Sequence, residues 1–329
     1  MNQFKNIIVM KYFLSLLIGA LLLSVNVNAQ SVFEVDGVCY RVLTEADDAT
    51  TFGTVEVVPR KNGFYEGVVN IPNGVKNSKG QYADTYKVIA IADKAFQNSM
   101  SLEKVSIPAS VEKIGQNAFS GCISLETVTF AKGNLATMGR EVFKDSGIKH
   151  IEIPEGITDL PWIAFFGCKN LTDVVLPTTL RTIGCSAFAQ CTSLREVKLP
   201  DGLREIMLGC FWGSGIEKIK LPSMITIVPN TFCQGCSNLK EVELSPNTMK
   251  IESNAFMGCT SLEKILLPEK LKTIEGMAFC QCKSLDNIVL PENLLLIGTG
   301  AFDECSSLKS IAFPKNLKQI ESGAFRDCI

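Results

Sequence analysis

Residues 118–130 read AFSGCISLETVTF, residues 255–267 AFMGCTSLEKILL and residues 301–313 AFDECSSLKSIAF. These are three copies of one pattern. The Phe of the Ala-Phe pair falls at 96, 119, 143, 165, 188, 211, 232, 256, 279, 302 and 325, a period of 23 with slips of one or two. Eleven of the chain's nineteen phenylalanines stand in this one column, which accident does not produce. Three or four residues later comes a second column: Ser99, Cys122, Ser146, Cys168, Cys191, Ser214, Cys236, Cys259, Cys282, Cys305 and Cys328.

Between columns each copy runs Leu-x-x-Val/Ile-x-Leu/Ile-Pro, then Leu/Val-x-x-Ile, then Ala-Phe. In the copy from 262 these are Leu262, Ile265, Leu267, Pro268, Leu271, Ile274 and Phe279. The alternation at 265 and 267 predicts a short strand with one face inward. The proline after it has no N–H for a ladder and marks the strand's end. A unit this small cannot bury its own apolar face, so units must stack, strand on strand at about 4.8 Å. The expected product is a solenoid of about ten turns, a rod or arc on the order of 50 Å long.

The run SLEKVSIPASVEKIGQNAFSGC (101–122) and its copies resemble the BspA-type leucine-rich repeat of bacterial and protozoan surface proteins. The resemblance spans roughly 88–329, with Leu-x-x-Val-x-Ile-Pro, Ile-Gly and Ala-Phe-x-x-Cys recurring in order. It implies a leucine-rich-repeat solenoid, and relatives of this kind are associated with adhesion to host matrix proteins or other cells. Departures are local: Ser replaces Cys at 99, 146 and 214, Ala131 replaces the proline, one residue is inserted in TFCQGC and one is missing in PNTMKIESNAF. These read as turn adjustments.

Two further segments flank the array. Residues 1–29 carry Lys5 and Lys11, an apolar run from Tyr12 to Leu23 and the small-residue signal Val27-Asn28-Ala29. Together these predict a signal peptide, with Met10 an alternative start. The rival, a retained anchor, needs about 20 apolar residues, more than this run offers. The expected mature protein is therefore exported, either secreted or held at the cell surface. Residues 30–87 show strand-like runs (VFEVDGVCYRVL, GTVEVVP, YEGVVNIP, YADTYKVIAIA) between Gly, Asn and Asp turn signals. A β-rich N-terminal cap over the first open strand is the expectation, and an independent ligand-binding module the alternative. At AFRDCI either the array continues in a longer chain or the last strand, with Ile311 and Phe313, presents a free edge that could pair with a second copy.

Thirteen cysteines in an exported chain suggest a disulfide framework. The odd number, the serine rungs and the parallel orientation of stacked side chains oppose it. The column instead reads as buried thiols or hydroxyls donating to backbone carbonyls at the turn before each strand. Cys39, Cys185, Cys210, Cys233 and Cys280 lie off the column. CQGC at 233–236 and CQC at 280–282 raise redox or zinc readings, but no redox context surrounds them and no histidine is near.

The chain carries 32 basic and 34 acidic side chains, and losing Lys5 and Lys11 leaves 30 against 34. Nucleic-acid binding needs a basic stripe that this balance does not supply. One histidine, His150, and no catalytic motif argue against an enzyme; no cofactor and no metal are expected. Function is expected on the outward positions of the repeat strand. Lys198, Lys218 and Lys220 fall beside Glu196, Glu241 and Glu243 as a mixed-charge band. Leu266, Val289 and Ala312 form an apolar stripe pointing away from the core. Charges alone serve solubility and an outer apolar residue can reflect β-propensity, yet the two together fit protein recognition. Aromatic residues are absent from these columns, which weakens a glycan partner. The expected function is adhesin-type recognition of host or neighbouring-cell protein. Carbohydrate capture and a structural, self-assembling envelope component are the alternatives.

Overall fold

The computed structural model describes residues 31–45, 52–77 and 84–328; the leader at 1–29 lies outside them. Over the repeats the chain is a β-solenoid, and the described residues contain no helix. None is therefore long and apolar enough to cross a membrane.

Each turn places its column phenylalanine, preceded by alanine in most turns, at one edge, and most turns place a repeat strand on one face. The column phenylalanines from Phe96 to Phe302 are wholly buried, and those from Phe96 to Phe211 stack with ring centroids 5.0–5.5 Å apart and planes within 3–11°. Burying one such ring contributes about 1.5–3 kcal/mol. The first face carries a parallel ladder from Gly67–Asn70 through Leu102–Ile107, Thr127–Phe130 and His150–Glu152 to Asp173–Val175. It resumes as Lys218–Lys220, Glu241–Glu243 and Lys264–Leu266. In each three-residue strand the central residue is buried and its neighbours exposed, as the period-two reading expects.

A second ladder of two-residue strands, not anticipated from the repeat, lines another face. It runs in three blocks: Asp84–Ile91 to Thr137–Met138, Asp159–Leu160 to Glu205–Ile206, and Ile227–Val228 to Gln319–Ile320. The residue after each strand explains the gaps. At 115, 139, 184, 207, 252, 275, 298 and 321 its N–H donates to the preceding turn at 2.8–2.9 Å. Where the ladder breaks, that residue is Pro161 or Pro229, which has no N–H to give.

The cysteine column does what its period implies. Cys122, Cys168, Cys191, Cys236, Cys282, Cys305 and Cys328 each donate Sγ–H to the carbonyl of the preceding turn's phenylalanine at 2.9–3.2 Å. The serine rungs depart from the expectation: the Ser146 and Ser214 hydroxyls lie 3.4 Å from the Sγ of Cys168 and Cys236, and the Ser99 hydroxyl accepts from Tyr65 N, in place of the preceding phenylalanine carbonyl. All thirteen cysteines are free.

One turn corrects the sequence reading. Cys259 donates not to Phe232 O but to Cys233 O. Cys233 N bonds to Ala255 O, as Phe188 N bonds to Cys210 O, so Cys233 occupies the backbone position held elsewhere by phenylalanine. Phe232 stands one residue early, in the alanine position. TFCQGC therefore contains no insertion. Its ring enters from the shifted position and meets Phe211 and Phe256 edge-on, at 87° and 89°. CQGC is thus a repeat turn in which the first cysteine replaces phenylalanine.

At the other end, Val32–Val35 and Val38–Thr44 form a hairpin about Asp36-Gly37, both at positive φ, as a two-residue turn requires. Val38–Thr44 pairs with Gly53–Val57, which joins Asp84–Ile91 at the head of the second ladder. Gly67–Asn70 heads the first. Tyr65 lays its ring on Phe96 at 4.5 Å, donates to Val58 O and accepts from Cys39 N, which continues the aromatic column into this segment.

Candidate binding surfaces

Five of the eight outward residues expected to bind lie around one groove. Lys198, Lys218, Lys220, Glu241 and Glu243 line a concavity of about 440 Å³ on the first face, with Glu196 and Asp201. Register places Lys218 opposite Glu241 and Lys220 opposite Glu243. The pairs that close are Lys220–Glu243 at 2.6 Å and Lys218–Glu196 at 3.0 Å, the second bridging to the preceding turn. The Lys218–Glu196 hydrogen bond, with the carboxylate's charge, raises the Lys218 pKa. Lys198 is exposed and lies on no ladder strand: the segment 196–198 pairs with neither Asp173–Val175 nor Lys218–Lys220. Its expected strand does not form, and the groove opens beside it. On the same face His150 Nδ1 lies 2.7 Å from Asp173 Oδ2 on the adjacent strand, both exposed.

Leu266, Val289 and Ala312 are exposed but lie outside this groove. Leu266 is on a ladder strand, opposite Glu243. Val289 and Ala312 are on no strand, as the ladder ends at Lys264–Leu266. Leu266 and Val289 are 85% and 71% exposed, the highest of the large apolar side chains described. The eight residues thus divide into a charged groove and a separate apolar stripe.

Sequence reasoning missed the Ala-Phe edge. Trp162 and Trp212, the chain's two tryptophans, are both exposed there. They occupy turn positions that flank the Ala-Phe pair, where period-two reasoning does not look. Burial pushes the column thiols of Cys122 and Cys168 up to about 12 and raises the off-column Cys233 well above its ordinary value, whereas the hydrogen bond from Cys233 lowers that of Cys236. Among the described residues no three His, Cys, Asp or Glu side chains are placed to hold a metal ion.

The family model for the BspA type leucine rich repeat region, with six copies, matches residues 89–216, 160–282 and 204–329. Among solved structures, the pneumococcal vaccine antigen PcpA superposes with a TM-score of 0.60 at 22% identity, over 87% of this chain and 82% of that one. A leucine-rich repeat protein from Bacteroides ovatus is 26% identical over 87% of this chain and 95% of its own, with a TM-score of 0.41. A leucine rich cell surface protein from Faecalibacterium prausnitzii is 22% identical over 85% and 94%, with a TM-score of 0.39. No curated protein matches the chain. The likeness to PcpA speaks for the fold, and the family match, which spans most of the array, decides membership: the chain belongs to the BspA-type leucine-rich repeat family.

Proposed function

We propose that the protein is an exported, non-catalytic binding protein, secreted or displayed at the cell surface, that recognises host or neighbouring-cell protein through its first face. On this reading residues 1–29 direct export, 30–87 cap the array and 88–329 present the binding face. The observation that carries it is the outward placement of Leu266 and Val289, 85% and 71% exposed. An apolar stripe left in water beside a charged groove has the composition of an interface centre with a polar rim. Lys198, Lys218, Lys220, Glu241 and Glu243 supply the rim and steer the approach of a charged partner; Ala312 extends the stripe.

The test is binding of the full-length protein to immobilised extracellular matrix proteins, with a Leu266→Glu/Val289→Lys variant in parallel. Saturable binding that falls at least about tenfold in the variant is expected, because truncating interface anchors costs more than about 1 kcal/mol each. Binding that the variant retains moves the site to the charged groove or to residues 30–87. Binding to none of them, with concentration-dependent oligomers instead, replaces this reading with self-assembly.

A further inference from the structure

The Ala-Phe edge between turns 162 and 213 is built differently from the rest of that edge. Phe166 and Trp212 each follow the column phenylalanine of their own turn. In the turn between them that position holds Ala189, which is wholly buried. The two rings lean across it, with centroids 6.4 Å apart and planes at 44°. Trp162 flanks them under the Arg140 guanidinium at 4.2 Å, and Leu208 stands exposed two turns on in the same slot as Trp162. Both tryptophans are 41% exposed, so ring surface remains open to solvent.

Polar groups border the rings. The Gln190 amide lies over Gly213, where an added Cβ would fall 2.2 Å from Nε2; the absence of a side chain there gives it room beside Trp212. Gly209, at φ +63°, brings Ser186 Oγ and the Trp212 Cβ to its other side. Among the described residues neither Gln190 nor Ser186 spends its side chain on a hydrogen bond. The edge slots 185–190 and 208–213 contain no charged residue.

We infer that this edge is a binding site for a linear, uncharged oligosaccharide lying along the solenoid axis, stacked on Trp212 and Trp162 and hydrogen-bonded by Gln190 and Ser186. A pyranose ring combines an apolar C–H face, which suits an exposed aromatic face, with hydroxyls that suit a free amide and hydroxyl. Arg140 is engaged on the Trp162 ring, and slots 185–190 and 208–213 add no further charge to answer an acidic glycan. An apolar peptide would cover Gln190 and Ser186 without satisfying them, at a desolvation cost. Phe166 and Trp212 share one slot two turns apart, and Trp162 lies in the neighbouring slot of Leu208, so a chain of sugars running along the axis meets the Trp212 and Trp162 rings at two successive places. This site is separate from the first-face groove and stripe.

Because the chain has only two tryptophans and both lie at the site, their emission reports on it directly. The experiment titrates the full-length protein with neutral gluco-, xylo- and manno-oligosaccharides while following tryptophan fluorescence. A saturable shift is expected with at least one series. Affinity should fall about tenfold in Trp212→Ala and less in Trp212→Phe, which keeps a ring. Gln190→Ala should weaken binding severalfold, and Leu266→Glu/Val289→Lys should leave it unchanged. If Trp212→Ala does not fold, Trp212→Phe and Gln190→Ala carry the test. Flat titrations at millimolar sugar with every series overturn the inference. So does affinity unchanged in Trp212→Phe and Gln190→Ala together, or binding confined to acidic glycans and abolished by salt.

Discussion

Six rings from Phe96 to Phe211 lie nearly parallel, while Phe232, one turn further on, stands edge-on to both neighbours. The stack then resumes from Phe256 to Phe325 at 5.2–5.3 Å and 3–14°. Around the irregular turn both ladders are also open: the first face lacks strand pairing at 196–198, and the second breaks at Pro229. The contrast shows what the array requires. A turn can set its phenylalanine one position early with cysteine in the phenylalanine position, lose a ladder rung and reorient its ring, while an aromatic group still fills the column and the Cys236 thiol still meets Phe211 O. Volume and the carbonyl partner are maintained, whereas exact ring orientation is not.

The largest expected effect breaks the column itself. Phe143→Ala, in the regular stack, should cost about 3–5 kcal/mol, read as a fall in the urea midpoint. Phe232→Ala should cost a similar amount. The informative variant is Phe232→Ala/Cys233→Phe, which restores the Ala-Phe order of the other turns. If Cys233 holds the phenylalanine position, the pair returns to within about 1 kcal/mol of the parent. A loss as large as that of Phe232→Ala alone would show that the edge-on ring is required where it stands.

The second effect is pH-dependent. Burial raises the Cys168 thiol to about 12, and the thiol is fully buried, whereas an unfolded thiol titrates near 8.5. Above that value the unfolded state loses its proton first, so stability is complete below about pH 8.5 and declines as pH rises toward 12. The decline is about 1.4 kcal/mol per pH unit for each such thiol. Cys168→Ser keeps a donor to Phe143 O and removes one titrating group. It should change stability little at pH 7.5 and reduce the loss between pH 7.5 and 10 by about 2 kcal/mol. Equal losses in parent and variant would mean that Cys168 is not buried as a neutral donor.

How much of this could be read from the amino acids depends on whether side chains or backbone carry the message. The phenylalanine and cysteine columns declare themselves because each position has one side-chain task, and the three-residue strands declare themselves through Val or Ile flanked by charges. The two-residue strands do not: a pair such as Lys113-Ile114 has one inward residue and no alternation to detect. The ladder gaps were written at Pro161 and Pro229, but their meaning depends on knowing that glycine, methionine or glutamate at that position donates a bond. The outward charges of the first face were legible. That 196–198 would leave the ladder was not, nor that Trp162 and Trp212 would share an edge, since turn positions lack the two-residue alternation that marks an outward face.

Pro229 offers a smaller test of the same contrast. Replacing it with Glu, the residue at 252 and 275, returns an N–H aimed at Ile206 O. One hydrogen bond contributes about 0.5–1.5 kcal/mol and the lost proline rigidity costs about 0.4–1 kcal/mol, so stability should shift by less than about 1 kcal/mol. The sharper reading is amide exchange: the new amide at 229 should be protected to the degree of those at 252 and 275. An unprotected amide would mean that the gap has another cause and that proline merely occupies it.

An effect of similar size concerns backbone strain at the tryptophan edge. In every turn the residue two before the phenylalanine position, which Cys233 holds in the irregular turn, takes a left-handed conformation, and asparagine holds it at 117 and 254 with φ of 56° and 59°. At 163 the same conformation, φ 62°, is forced on an isoleucine. A β-branched side chain there crowds the carbonyl, at a cost of about 1–2 kcal/mol. Ile163→Asn should therefore raise stability by about 1 kcal/mol, and Asn117→Ile should lower it by a similar amount. The next residue back is Trp162. If the strain only tolerates a variable slot, Ile163→Asn gains stability and leaves the tryptophan environment unchanged. If it holds the Trp162 ring under Arg140, the same substitution gains stability and shifts tryptophan emission, and strain at 163 is then part of how this edge presents its rings.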